Sequence, residues 1–147
     1  MKSISKLLGI LGLAALVPLA QAYDSSKGDF LLQADQLQWE ASAKTQRQLV
    51  HEDPAYRVKT VRLRIPPNTD LPPHGVKNGY FIATVISGTL QVGFGKTFED
   101  GGLKTLPPGG VFSHPDSQEH YARTGAEPVV LQVTIIEGEK PEQRHAH

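Results

Sequence analysis

The sequence predicts an all-β protein built as a single sandwich or barrel domain. Short segments alternate apolar and polar residues with the period of two that half-buried strands require, and long amphipathic helices are lacking. Pairs of proline or glycine, such as Pro72-Pro73 and Gly109-Gly110, fall between these segments, where they favour turns. The length of 147 residues suits one domain. Short strands with strong turn signals between them are typical of sandwiches and barrels.

Four segments carry this pattern and are predicted strands: 57–65, 80–87, 90–94 and 129–136. In the first, Val61, Leu63 and Ile65 face one side. The second is apolar almost throughout, which is typical of an interior strand, and the fourth is rich in β-branched residues. The tripeptide Ser87-Gly88-Thr89 indicates a tight hairpin turn between the second and third segments.

The amino terminus has the pattern of a secretory signal peptide. Lys2 and Lys6 precede an apolar run over 7–20, and small residues follow in Ala20-Gln21-Ala22. This run is shorter than the roughly 20 apolar residues of a membrane span, so cleavage is favoured over the alternative of an uncleaved anchor. We therefore expect residues 1–22 to be removed and the protein to be exported, either periplasmic or secreted, with no membrane partner afterwards.

The composition excludes several classes of function. The 15 basic and 15 acidic residues cancel, so there is no concentrated positive charge to bind nucleic acid. The chain has no cysteine, which excludes disulfides, thiolate catalysis and zinc–thiolate sites. The fold must therefore be stabilised by packing of its core.

Histidines are the candidate functional residues, and the six are not equivalent. His145 and His147 lie in a polar tail over 138–147, and His51 is expected at the surface. His74 follows a proline pair and His120 follows a turn, so each precedes or begins a predicted strand. Antiparallel pairing would bring these two imidazoles together at a barrel mouth, where they suit a transition metal. The alternative is a hydrogen-bonded pair in a partly buried pocket.

Two stretches of the chain resemble the two sequence motifs of the cupin family. The first is Leu71-Pro-Pro-His74 leading to Tyr80-Phe-Ile-Ala-Thr-Val-Ile-Ser-Gly88-Thr-Leu-Gln-Val-Gly-Phe-Gly95, and the second is Leu106-Pro-Pro-Gly-Gly-Val-Phe-Ser-His-Pro-Asp-Ser-Gln-Glu-His120-Tyr. The likeness is strongest to small, exported, single-domain cupins. It implies a cupin jelly-roll barrel over 56–137, amino-terminal strands over 23–55 that pack on the barrel, and a homodimer.

The resemblance also implies a metal site, but this chain has only part of it. Cupins typically place two histidines one residue apart and then a glutamate in the first motif, and a further histidine in the second. Only His74 and His120 match those ligand positions. The glutamate position falls at Tyr80 or Phe81, and Lys77, which has no lone pair for a metal, takes the second histidine position in one alignment.

Four further residues are candidates for the same site. His114 is either a third metal ligand or a buried histidine that donates to a backbone carbonyl or to Tyr121, and its position before Pro115 favours the second role. Tyr80, Tyr121 and Gln132 are candidate ligand-binding residues that would line the cavity as polar contacts. The alternative for the tyrosines is simple packing with a satisfied hydroxyl group.

These observations predict an exported cupin-domain protein that binds a small molecule, with a divalent metal (Zn, Fe, Mn or Ni) at His74 and His120 as its candidate cofactor. A metal-dependent enzyme, dioxygenase-like or isomerase-like, acting on a small organic substrate is the alternative. A non-catalytic structural or interaction protein is a second alternative. The loss of two of the four usual ligands favours binding over catalysis, and whether the protein is an enzyme stays open at this point.

Overall fold

The computed structural model describes residues 23–24 and 28–138. The predicted signal segment 1–22 and the tail histidines His145 and His147 lie outside the described residues. Within the described part, no helix is both long and apolar enough to cross a membrane.

The all-β prediction is confirmed. The described residues form eleven strands: β1 (Tyr23–Asp24), β2 (Glu40–Ser42), β3 (Thr45–Asp53), β4 (Val58–Ile65), β5 (Asp70–His74), β6 (Gly79–Ser87), β7 (Leu90–Phe94), β8 (Lys104–Leu106), β9 (Val111–Phe112), β10 (His120–Thr124) and β11 (Val129–Glu137). Two 3-10 helices, Ala34–Gln36 and Asp100–Gly102, are the only helical turns among the described residues.

The strands form two sheets that enclose the core. The larger sheet has seven strands in the order β1-β3-β4-β11-β6-β9, with β2 paired to β3, and the smaller has four in the order β5-β10-β7-β8. In the larger sheet β11 is antiparallel to both β4 and β6, so these three strands form its centre. The strands β2 and β3 extend this sheet beyond β4.

The core contains the inward residues of both sheets. Strand alternation puts Val61 and Ile65 of β4, Phe81 of β6 and Leu131 of β11 in this core. Val92 of β7 belongs to the same cluster from the smaller sheet. The jelly-roll core therefore lies between the sheets, as in a sandwich.

The predicted hairpin turn at Ser87-Gly88-Thr89 is wrong. The strand before it, β6, pairs with β11 and β9, whereas the strand after it, β7, pairs with β10 and β8. Gly88 has a φ of 73°, and a Cβ at this residue would collide with the carbonyl oxygen of Pro128. The turn therefore takes the chain from the larger sheet to the smaller one, and its glycine is needed for both the positive φ and the close backbone approach.

Candidate functional site

The pairing of β5 with β10 places His74 directly opposite His120. A register irregularity between His120 and Ala122 ends the regular ladder at this point. At the other end of the pair, Arg123 makes two hydrogen bonds to Asp70, of 2.6 Å and 2.8 Å. Arg123 also holds the pKa of Asp70 below its ordinary value, chiefly through this hydrogen bonding. The ion pair and the histidine pair thus lie on the same strand pair, on either side of this irregularity. The pairing brings His74 and His120, 46 positions apart in sequence, into contact.

The two imidazoles differ in exposure. Their ring centroids are 4.2 Å apart and their planes are inclined by 51°. His74 is exposed at the end of β5, whereas His120 is 8% exposed. His74 therefore lies at the open end of the site and His120 lies inside it.

Hydrogen bonds set the tautomers of three histidines in their neutral forms. Two of them, His114 and His120, belong to one chain of hydrogen bonds, and His74 is bonded separately. Nδ1 of His114 lies 2.8 Å from the carbonyl oxygen of Pro115, which can only accept, so this nitrogen carries the proton. Nε2 of His114 is then an acceptor, and Nδ1 of His120 donates to it over 2.8 Å. Nε2 of His120 consequently keeps its lone pair. The same reasoning applies to His74, whose Nδ1 donates to the carbonyl oxygen of Pro72 over 2.7 Å.

His120 is held neutral by its surroundings. Burial above all, with smaller electrostatic contributions from His74 and His114, lowers the pKa of His120 to about 3. A neutral imidazole with a free Nε2 is the form that binds a metal or accepts a hydrogen bond. His120 has this form at neutral pH.

The geometry of His114 fits the second of its two expected roles, that of a buried histidine that donates to a backbone carbonyl. It is 5% exposed, its Nδ1 bonds to a backbone carbonyl, and its Nε2 bonds to His120. Both ring nitrogens are therefore engaged, which leaves no lone pair of the neutral ring for a metal. This is the arrangement in which an outer histidine orients an inner one.

A cavity of about 160 Å³ opens beside the histidine pair. Both His74 and His120 line it, and the other side chains around it are apolar, from both sheets: Leu63, Ile65, Leu71, Val76, Phe81, Ala83, Leu90, Phe112, Ala122, Leu131, Val133 and Ile135. Phe81 contacts the buried histidines, with ring centroids 5.4 Å from His120 and 4.8 Å from His114. The site is thus two imidazoles at one end of an apolar cavity.

The structure shows which residue stands at the glutamate position of the first motif. Of the two alternatives, Phe81 lines the cavity, whereas Tyr80 is 46% exposed on the opposite face of β6. Lys77 is exposed and does not line the cavity. The position that would supply an acid is therefore occupied by a phenyl ring. No group of three or more His, Cys, Asp or Glu residues arranged to hold a metal occurs within 28–138.

The three predicted ligand-binding residues lie away from this cavity. Strand alternation turns Tyr80 outward because Phe81 points inward. Tyr121 is 1% exposed, and its hydroxyl donates to the carbonyl oxygen of Glu99, so it is buried with a satisfied hydroxyl group. Gln132 accepts a hydrogen bond from Arg62 over 3.4 Å on the outer face of the larger sheet. None of the three predicted contacts therefore lines this cavity.

Sequence reasoning did not single out Gly75, which is necessary for the site. A Cβ at Gly75 would lie 2.6 Å from the backbone oxygen of Gln118 and 3.0 Å from Cε1 of His114. The loop after β5 therefore passes close to the histidine chain only because residue 75 lacks a side chain. The sequence signal for this was a glycine directly after His74.

The donor atoms fit a metal with two protein ligands. Neutral imidazole nitrogens suit Zn, Fe, Ni and Cu, and His120 has the outer hydrogen bond that ligating histidines usually have. Two ligands leave the remaining coordination positions to water or to a ligand, which is unlike a closed structural site. A metal bound there would act as a Lewis acid toward a molecule in the cavity.

No family model matches the chain. One curated relative is germin-like protein 4-1 of Oryza sativa subsp. japonica, 37% identical over 90 residues, which are 57% of this chain and 35% of that protein. The chain thus spans about a third of that relative's length.

Solved structures match more of the chain. An RmlC-like cupin from Shewanella frigidimarina has a TM-score of 0.61 at 18% identity, covering 76% of this chain and 94% of that one. The polyketide cyclase RemF from Streptomyces resistomycificus has a TM-score of 0.62 at 18% identity, covering 77% and 82%. The described residues therefore have the cupin jelly-roll fold, as the sequence resemblance predicted.

Proposed function

We propose that this is an exported cupin-domain protein that binds a small molecule in the apolar cavity beside His74 and His120. These two residues also act, in this proposal, as the protein ligands of a divalent transition metal. The observation that carries the proposal is the hydrogen bonding of Nδ1 in both rings, of His120 to His114 and of His74 to Pro72. It leaves a lone pair on Nε2 of each neutral ring beside the cavity.

Burial supports this assignment for His120, which is 8% exposed, whereas His74 lies at the open end of the cavity. An acceptor on a largely buried ring loses hydrogen bonding to water, so it favours a ligand or metal that satisfies it. Phe81 and Phe112, with ring centroids 5.4 Å and 5.1 Å from that of His120, hold the ring in place. A preorganised donor pair binds more tightly than two mobile histidines.

Calorimetric titration with Zn, Mn, Ni and Fe(II) tests the metal part of the proposal. We expect one saturable site in the wild-type protein, and we expect His74→Ala and His120→Ala each to abolish it. The matched controls are His145→Ala and His147→Ala, which should change only weak background binding because the sequence places both in a polar tail outside the two cupin-like motifs. The absence of a saturable site in the wild type would contradict metal binding and leave His74 and His120 as polar ligand contacts.

Export is proposed from the amino-terminal pattern. Mass spectrometry of protein recovered from the exported fraction should give a chain that begins at Tyr23. A mature species that keeps residues 1–22 would contradict cleavage.

A homodimer is proposed from the outer face of the larger sheet. Apolar side chains lie exposed together on this face, from three neighbouring strands: Tyr80, Ile82, Ile86, Val111 and Ile136, which are 40–56% exposed. Contiguous exposed apolar surface favours association, and a symmetric partner would cover it.

A further inference from the structure

We infer that the cavity ligand is an uncharged, largely apolar molecule of single-ring size that carries one hydrogen-bond donor, as phenol does. This inference rests on the small-molecule part of the proposed function and concerns the metal-free protein, because a metal on Nε2 of His74 and His120 would occupy the lone pairs that the ligand is to meet. Three properties of the cavity lead to it: the chemistry of its walls, its volume and the tautomers at its end.

The walls exclude a charged ligand. Among the described residues that line the cavity there is no Lys, Arg, Asp or Glu. Its two polar side chains, His74 and His120, are at one end, and twelve apolar side chains form the rest. Moving a carboxylate from water into such surroundings without a cationic partner is costly, so a small diacid is disfavoured.

The volume limits the ligand to about one ring. A cavity of about 160 Å³ is close to the roughly 150 Å³ of an apolar protein cavity that accommodates benzene. Phe81 and Phe112 form part of the wall, and their rings lie edge-on with centroids 5.8 Å apart. An aromatic ring would find edge and face contacts there.

The tautomers require a donor on the ligand. The neutral rings of His74 and His120 both use Nδ1 for a hydrogen bond to the protein, so each presents Nε2 as an acceptor. A ligand that has only acceptors would leave these lone pairs unpaired, whereas one hydroxyl satisfies one of them. The hydroxyl should therefore point to the histidine end and the ring to the apolar walls.

Four probes test the inference by calorimetry on protein freed of metal with a chelator: phenol, fluorobenzene, benzene and oxalate. We expect saturable binding of phenol, binding of fluorobenzene and benzene about tenfold weaker because they lack the donor, and no saturable binding of oxalate over the same range. Binding of oxalate as tight as that of phenol would overturn the inference, and so would equal affinities for phenol and fluorobenzene.

Two variants locate the binding. Ala122→Leu adds side-chain volume inside the cavity while keeping both histidines and should weaken phenol binding at least tenfold. Ala41→Leu is the matched control, because Ala41 is an exposed strand alanine outside the cavity, and it should leave phenol binding unchanged. If Ala122→Leu does not fold, Ala83→Val fills the same cavity from β6. Unchanged phenol binding in a folded, filled variant would overturn the inference.

A zinc titration of the same samples separates the two proposals. Zinc binding at one site together with no phenol binding would overturn the ligand class and leave the metal proposal standing. Phenol binding without any saturable zinc site would support the ligand class and contradict the metal proposal.

Discussion

Replacement of His114 tests whether this residue positions His120 or binds a metal itself. Nε2 of His114 accepts a hydrogen bond from Nδ1–H of His120 over 2.8 Å, and His114→Ala removes this acceptor. His120 is buried, with 8% of its surface exposed. The donor would then lack a partner inside the protein, and the ring would lose the contact that fixes its tautomer and orientation.

The size of the effect follows from that lost contact. A buried donor left unpaired costs about 1–3 kcal/mol, and about 1.4 kcal/mol corresponds to a tenfold change in an equilibrium constant. We therefore expect His114→Ala to weaken zinc binding by roughly fivefold to 150-fold, which includes the roughly 10- to 100-fold range found for outer hydrogen-bond partners of metal-binding histidines. His114→Gln should recover part of this loss, because its side-chain oxygen can accept from His120.

Calorimetric titration of zinc into wild type, both His114 variants and His120→Ala measures the effect, with thermal unfolding as a check that each variant is folded. A loss in His114→Ala as complete as that in His120→Ala, without recovery in His114→Gln, would make His114 a ligand. Affinities within about twofold of wild type in both variants would mean that His114 does not position His120. Either result would refute the reasoning.

Three further predictions concern stability and association. Chiefly because of burial, the pKa of His120 is about 3 in the folded protein, compared with 6.5 for an ordinary histidine. As the pH falls from about 6.5 to about 3, His120 therefore takes up a proton in the unfolded chain but not in the folded one. The free energy of unfolding should therefore decrease in that window by up to about 1.4 kcal/mol per pH unit. Urea unfolding at a series of pH values should show that this free energy depends less on pH in His120→Asn than in wild type, and an equal dependence on pH would contradict the prediction. Gly75→Ala should cost about 1–3 kcal/mol through the clash with Gln118, whereas Gly125→Ala, with open space around its Cβ, should cost much less, as measured in urea. Ile82→Glu should convert the dimer to a monomer in light scattering, and a wild-type protein that is monomeric at micromolar concentration would contradict the dimer.

The histidine site was partly predictable because its signals are local. The proline pair before His74 and the turn before His120 mark strand ends in the sequence itself, and cupin-like residues surround both. The structure brings these two residues together, as antiparallel pairing suggested. Their metal binding stays a prediction. By contrast, the sequence could not decide whether Tyr80 or Phe81 stands where cupins have the glutamate of their first motif. A shift of one residue exchanges the two faces of a strand. Only the sheet register shows that Phe81 is the inward one.

The all-β class, the main strands and the placement of His74 and His120 beside turns follow from the amino-acid sequence alone, because alternation and turn residues act over a few neighbouring positions. Tertiary structure alone decided that the turn at Gly88 connects two sheets, that Tyr121 and Gln132 lie away from the cavity, and that His114 bonds to His120. These features depend on which distant strands pair and on which side each strand presents to the core. Such choices are made by the packing of the whole domain, and no local pattern of residues contains them.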